Sequence, residues 1–96
     1  FRDSKVLIID DDVIQAKNVK ANLAKITDQV KVITSSNQID EQGSFIPDLI
    51  IISCQIDDED PLRIVVMVKS RPLLKNTVIM LLAEDSNMNK VIKGME

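Results

Sequence analysis

No histidine, tryptophan or tyrosine occurs anywhere in the chain, and there is one cysteine, Cys54. Without histidine, the sequence excludes Ser-His triads, histidine-based acid–base catalysis and the usual mixed zinc sites. A lone cysteine excludes an internal disulfide and reads as a small buried hydrophobe rather than a redox thiol. Glycine is almost absent, with only Gly43 and Gly94, so there is no glycine-rich loop to cradle a phosphate. This argues against a small nucleotide-binding domain. No apolar run approaches the ~20 residues of a membrane-spanning helix. No basic-then-apolar leader opens the sequence. Positive charge is in deficit too: the net charge is −3 and the pI about 4.9. That balance argues against nucleic-acid phosphates or an anionic membrane surface as partners. A cytoplasmic setting fits these exclusions.

What remains is 96 residues, 45% apolar and 28% charged, enough for one small globular domain. The chain opens on Phe1 rather than Met, which is expected of a piece cut from something longer.

The sequence turns on Lys5-Val-Leu-Ile-Ile-Asp-Asp-Asp12. Four branched apolar residues without a polar break predict a strand buried on both faces, as in a parallel sheet with helices on either side. Ligand sites in such sheets lie just beyond the carboxyl ends of strands, where Asp10, Asp11 and Asp12 fall. Three adjacent carboxylates repel one another, which favours a hard cation such as magnesium or calcium. The competing reading is a helix cap with two solvated neighbours.

The rest alternates. Val13 to Ile26 predicts a helix, capped by Asp11 or Asp12, with Ala16, Val19 or Lys20, Leu23, and Ile26 or Thr27 on one face. Gln29 to Thr34 predicts a strand. Ser35 to Ile46 predicts a short helix closed by Gly43. Leu49 to Ser53 predicts a second apolar strand, and Asp57 to Asp60 an acidic loop. Pro61, capped by Asp60, opens a helix through Leu62, Ile64, Val65 and Val68 to near Ser70. Asn76 to Ala83 predicts a fourth strand, and Met88 to Met95 a final helix. The methionines are expected to pack. This βαβαβαβα order means a doubly wound parallel sheet.

Three stretches, Val6-Leu-Ile-Ile-Asp-Asp-Asp12, Pro47-Asp-Leu-Ile-Ile-Ile-Ser53 and Val78-Ile-Met-Leu-Leu-Ala83, together resemble a response-regulator receiver domain over the whole chain. The finer texture, with Leu62-Arg63 and Val91-Ile-Lys-Gly-Met-Glu96, is similar to the second, degenerate receiver of PleD-type diguanylate cyclases. The resemblance implies a flavodoxin-like sheet of order 2-1-3-4 over residues 1–96, lacking the fifth strand–helix unit and its lysine. The strand Val78 to Leu82 would then be an apolar edge.

A working receiver holds magnesium at an acidic pair and is phosphorylated on an aspartate ending its third strand. A threonine or serine ends its fourth. Carried over, Asp10 and Asp11 match the acidic pair, and Gln55 falls where a backbone carbonyl meets the metal. The phosphoacceptor position is Ser53, and the switch-hydroxyl position is Leu82. An acyl phosphate needs a carboxylate nucleophile, and a serine without a base is a poor substitute. Leu82 cannot hydrogen-bond a phosphoryl oxygen. The expectation is a degenerate receiver with no catalytic residue and no required cofactor. Asp10 and Asp11 would be a weak magnesium site or a vestige. Such a module would act as an adaptor and homodimerisation unit, partnered by a neighbouring receiver and by the GGDEF cyclase domain of a parent that makes cyclic di-GMP. The rival is a magnesium-dependent, phosphoryl-accepting switch, which Ser53 and Leu82 argue against.

Overall fold

A computed structural model describes residues 4–54 and 60–82. Four strands, β1 (Lys5–Ile9), β2 (Gln29–Ile33), β3 (Leu49–Ser53) and β4 (Val78–Leu82), form one parallel sheet of order β2-β1-β3-β4. The predicted order is met. Burial explains the composition of the strands. β1 and β3 lie inside the sheet and are covered on both faces, so neither can spare an apolar position for solvent. Among the described residues β4 lies at an edge and alternates, with Ile79 and Leu81 buried while Val78 and Met80 face outward.

Two helices cover the faces. Helix α1 (Val13–Leu23) lays Ala16, Val19 and Leu23 over Val6, Ile8, Val30 and Ile51. Helix α2 (Pro61–Lys69) lays Ile64 and Val68 over Ile50, Ile52, Ile79 and Leu81 on the other face. The open alternatives on α1 resolve by exposure: Val19 rather than Lys20, and Thr27 rather than Ile26, turn inward. The helix ends at Leu23, short of Ile26, because the amides of Ile26 and Thr27 both turn back to the Leu23 carbonyl. Buried Thr27 then donates to the Ser4 carbonyl at 2.6 Å and accepts from the Gln29 amide, which steers the chain into β2.

Two expectations need correction. The helix expected over Ser35 to Ile46 is a 3₁₀ helix, Ser36–Gln42, opened by the Ser35 side chain and closed by Gly43 at φ 62°. Its only buried residue is Ile39, and one apolar anchor in a run of Ser, Asn, Gln and Asp is too little to hold an α-helix against local side-chain hydrogen bonding. Met80, expected to pack, is exposed, and so is Leu62. Met67 by contrast packs against the core, as does Cys54, a half-buried thiol. The expected acidic loop up to Glu59 and the final helix lie outside the described residues.

A brace joins the 3₁₀ helix to the end of α2. Arg71 grips Asp40 with two hydrogen bonds, Nε to Oδ1 at 2.9 Å and Nη2 to Oδ2 at 2.7 Å. The guanidinium hydrogen bond holds the Asp40 carboxyl below its ordinary 3.8. A carboxyl with a lowered folded-state pKa adds stability above its unfolded value and loses it as acid protonates it in the fold. The pair is solvent-facing, so its share is small. The core decides instead. Ile52→Ala, at a fully buried position, should cost about 2–5 kcal/mol in urea unfolding, whereas Asp40→Asn should barely move the midpoint at neutral pH. Equal losses for the two would show that the brace, rather than aliphatic packing, holds this fold.

Candidate functional site at the carboxyl end of the sheet

In a doubly wound sheet of this order, the chain turns left from β1 and right from β3, which opens a crevice at their carboxyl ends. The register places Ile9 opposite Ile52, so Asp10 and Ser53 follow side by side, and Ser53 lies opposite Leu82 on β4. Strand alternation carries the three residues to the same face, in step with Val6 and Ile8, Ile51, and Met80. The positions read from sequence as acidic, phosphoacceptor-equivalent and switch-equivalent are thus brought together on three adjacent strands. Gln55 lies outside the described residues.

Asp10 continues the ladder, its amide donating to the Ile33 carbonyl at 3.0 Å. Its side chain is buried, 1% exposed, and Oδ1 accepts the amide of Asp12 at 2.9 Å. Asp12 is the helix cap, its Oδ1 accepting from the amides of Ile14 and Gln15 at 3.0 and 3.1 Å. Asp11 sits between them, half-buried. The three carboxylates thus divide their work: the first ties the strand end to the helix start and the third starts the helix. Ser53 is buried at 2% exposure. The Cys54 amide donates to the Leu82 carbonyl at 2.8 Å, which carries the β3–β4 pairing to the rim of the site. Leu82 itself packs half-buried on the α1 side of the core.

One feature escaped the sequence reading. Asp12 and Gln15 have the spacing of a capping box, in which the later side chain reaches back to the cap amide. Asp10 takes that amide instead, and the Gln15 Oε1 is left buried with no hydrogen-bond partner among the described residues. An Asp two residues before a cap is the signal that would have shown it, since Asp side chains favour the amide two residues on.

The resemblance to a receiver implies a magnesium ion, and the side chains here do not supply the ligands for it. Among the described residues no three carboxylate, thiolate or imidazole side chains gather where a metal ion could be held. Asp12 is occupied as a cap, and the strand-end position that would add a carboxylate is Ser53. Magnesium demands near-octahedral oxygen ligands, and these side chains do not make a resident site for it.

No family profile and no curated protein matches the sequence. Solved structures do match the fold. A sensor protein from Polaromonas superposes with a TM-score of 0.77 at 18% identity, over 92% of this chain and 71% of its own. The signal receiver domain of a DNA-binding response regulator from Colwellia psychrerythraea gives 0.70 at 22%, over 92% and 76%. A chemotaxis response regulator of Vibrio cholerae gives 0.76 at 20%, over 91% and 73%. The architecture is the receiver fold of two-component response regulators, a four-stranded parallel sheet with helices on both faces. No helix among the described residues is long and apolar enough to cross a membrane.

Two measurements check the site. Asp12→Ala should cost about 1 kcal/mol by removing the cap, while Asp12→Asn, which keeps the acceptor, should cost little. Magnesium titration followed by amide shifts of Asp10 and Asp11 should not saturate at micromolar metal; saturation there would mean a full ligand set exists.

Proposed function

We propose that this chain is a degenerate receiver, a pseudo-receiver that works as an adaptor and dimerisation module of two-component signalling. One observation carries the reading: Ser53, a buried alcohol, stands beside Asp10 at the end of the strand where a receiver needs a carboxylate. An acyl phosphate forms only on a carboxylate, and a serine hydroxyl would need a base to take its proton. Leu82 opposite Ser53 adds to the case, because a leucine makes no polar contact with a phosphoryl group. A ligand shifts a conformational equilibrium only through contacts that differ between the two states. With neither the acceptor nor the hydroxyl contact, the domain's contribution is its surface.

The texture of residues 47–53, 62–63 and 91–96 extends the reading to the second receiver of a PleD-type diguanylate cyclase. There the partners would be a neighbouring receiver and a GGDEF domain making cyclic di-GMP, in the cytoplasm. The fragment itself would be no enzyme, with at most weak magnesium binding at Asp10 and Asp11.

Incubation with acetyl phosphate and magnesium, followed by intact-mass measurement, should show no added phosphate. An adduct that is lost under conditions cleaving acyl phosphates would overturn the proposal in favour of a phosphoryl-accepting switch. Ser53→Asp alone should leave the oligomeric state indifferent to beryllofluoride. Only Ser53→Asp with Leu82→Thr, in a longer chain that carries the fifth strand, should restore a response, and a full response from the single substitution would remove Leu82 from the account.

A further inference from the structure

The tight winding of Ser36–Gln42 leaves space on the α2 side of the sheet. An amphipathic α-helix of two turns brings about three or four apolar side chains inward. This 3₁₀ helix brings one, Ile39. The result is a cavity of about 190 Å³, partly open to solvent. It reaches down to Leu7 on β1, which is 1% exposed. Ile39, Phe45 and Ile46 line it from one side, and Leu74, in the short 3₁₀ turn Pro72–Leu74 after α2, from another. The Lys69 ammonium fixes the end of that turn through the carbonyls of Lys75, at 3.1 Å, and Thr77, at 2.5 Å. Pro47 and Leu74 also line the cavity and precede β3 and β4, so it lies toward the opposite end of the sheet from Asp10 and Ser53.

Interiors are close-packed, and voids larger than a water are few. This cavity has room for about six waters at ~30 Å³ each. An ordered water needs two to four polar partners. The polar side chains at hand are already engaged. Arg71 and Asp40 hold each other through both carboxylate oxygens, at 2.9 and 2.7 Å. The Gln42 amide nitrogen donates to the Gln38 carbonyl at 2.8 Å. An apolar cavity of ~150 Å³ stays dry and takes up benzene or xenon.

The charges of the lining narrow the occupant further. Arg71 is the only cation and Asp40 the only anion among the described residues that line the cavity, and each neutralises the other. Lys31 lies over the Phe45 ring, 4.9 Å from its centroid, and does not line the cavity. A charged occupant would lose its hydration and gain no partner. Around the opening only Leu73 is a large exposed apolar residue, at 72%, beside Asp40, Gln42, Gly43 and Arg71. That rim gives the surface of a partner protein little apolar area to bury.

We propose that the cavity between the 3₁₀ helix and the turn after α2 is a binding site for a small neutral apolar molecule, one aromatic ring in size with a short substituent. The proposal is independent of the reading of Ser53. A molecule bound there fills the gap between the two elements, so occupancy stabilises the folded chain.

Benzyl alcohol, benzoate and benzylamine carry the same ring with a neutral, a negative and a positive end. In the 96-residue chain, benzyl alcohol should shift the amides of Ile39, Phe45 and Leu74, saturate in the low-millimolar range and leave Asp10 and Ser53 unmoved. Benzoate and benzylamine should bind at least tenfold more weakly. Asp40→Asn, which removes the charge that neutralises Arg71, should improve benzoate binding severalfold. Ile39→Phe, which fills the cavity, should weaken benzyl alcohol at least tenfold; Ile46→Phe, at a half-buried position, makes the same test should Ile39→Phe fail to fold. Shifts that never saturate, or binding that survives the filling variant, would overturn the site. Benzoate binding the unaltered chain as tightly as benzyl alcohol would overturn the neutral ligand. N-acetylphenylalaninamide binding as tightly as benzyl alcohol would make the cavity a socket for a protein side chain, which also overturns the proposal.

Discussion

A parallel sheet cannot leave a face of its central strands to water. Val6 to Ile9 on β1 and Ile50 to Ile52 on β3 are all at or near complete burial, and every other element is placed by the need to keep them so. Helix α1 exists to cover one side of these strands and α2 the other. The site inherits its geometry from the same constraint. The apolar runs give way there to two polar residues that are themselves buried, Asp10 and Ser53, side by side at the rim where the chain leaves β1 and β3 in opposite directions.

The fold was largely legible because this constraint writes itself into composition. Unbroken Ile and Val runs mark interior strands, and the alternation of Val78 to Leu82 marks an edge. Asp60-Pro61 announces a helix start that the structure places where expected. Legibility failed where tertiary balance outweighs pattern. The stretch Ser36–Gln42 mixes helix formers with Ser, Asn and Asp and has a single buried anchor, and it winds tighter instead. Met80 was expected to pack, but residue type alone cannot tell the inward positions of β4 from its outward ones. Thr27 and Thr77 are buried polar residues at 1% and 5% exposure, invisible to hydropathy because their value lies in bonds to distant carbonyls, of Ser4 and of Pro47.

The candidate site was legible in part, and for a different reason. The spacing from Asp10 to Ser53 to Leu82 means nothing without the sheet order, and the register then places them on adjacent strands. What spacing could not give is the division of labour among the three carboxylates. Asp10 and Asp12 are drawn into backbone bonding at the strand-to-helix turn, which is a structural task. The seam that would be a metal site in a fuller ligand set is here also the hinge pin between β1 and α1.

The knot around Lys69 has a mechanical consequence. Its ammonium bonds the carbonyls of Lys75 and Thr77, the Thr77 hydroxyl donates to Pro47, and the Val78 amide donates to Asp48. These links weld the tail of α2 to the feet of β3 and β4. The tail of α2 therefore has no slack connection to the sheet, and the strand it is tied to, β4, ends at Leu82 opposite Ser53.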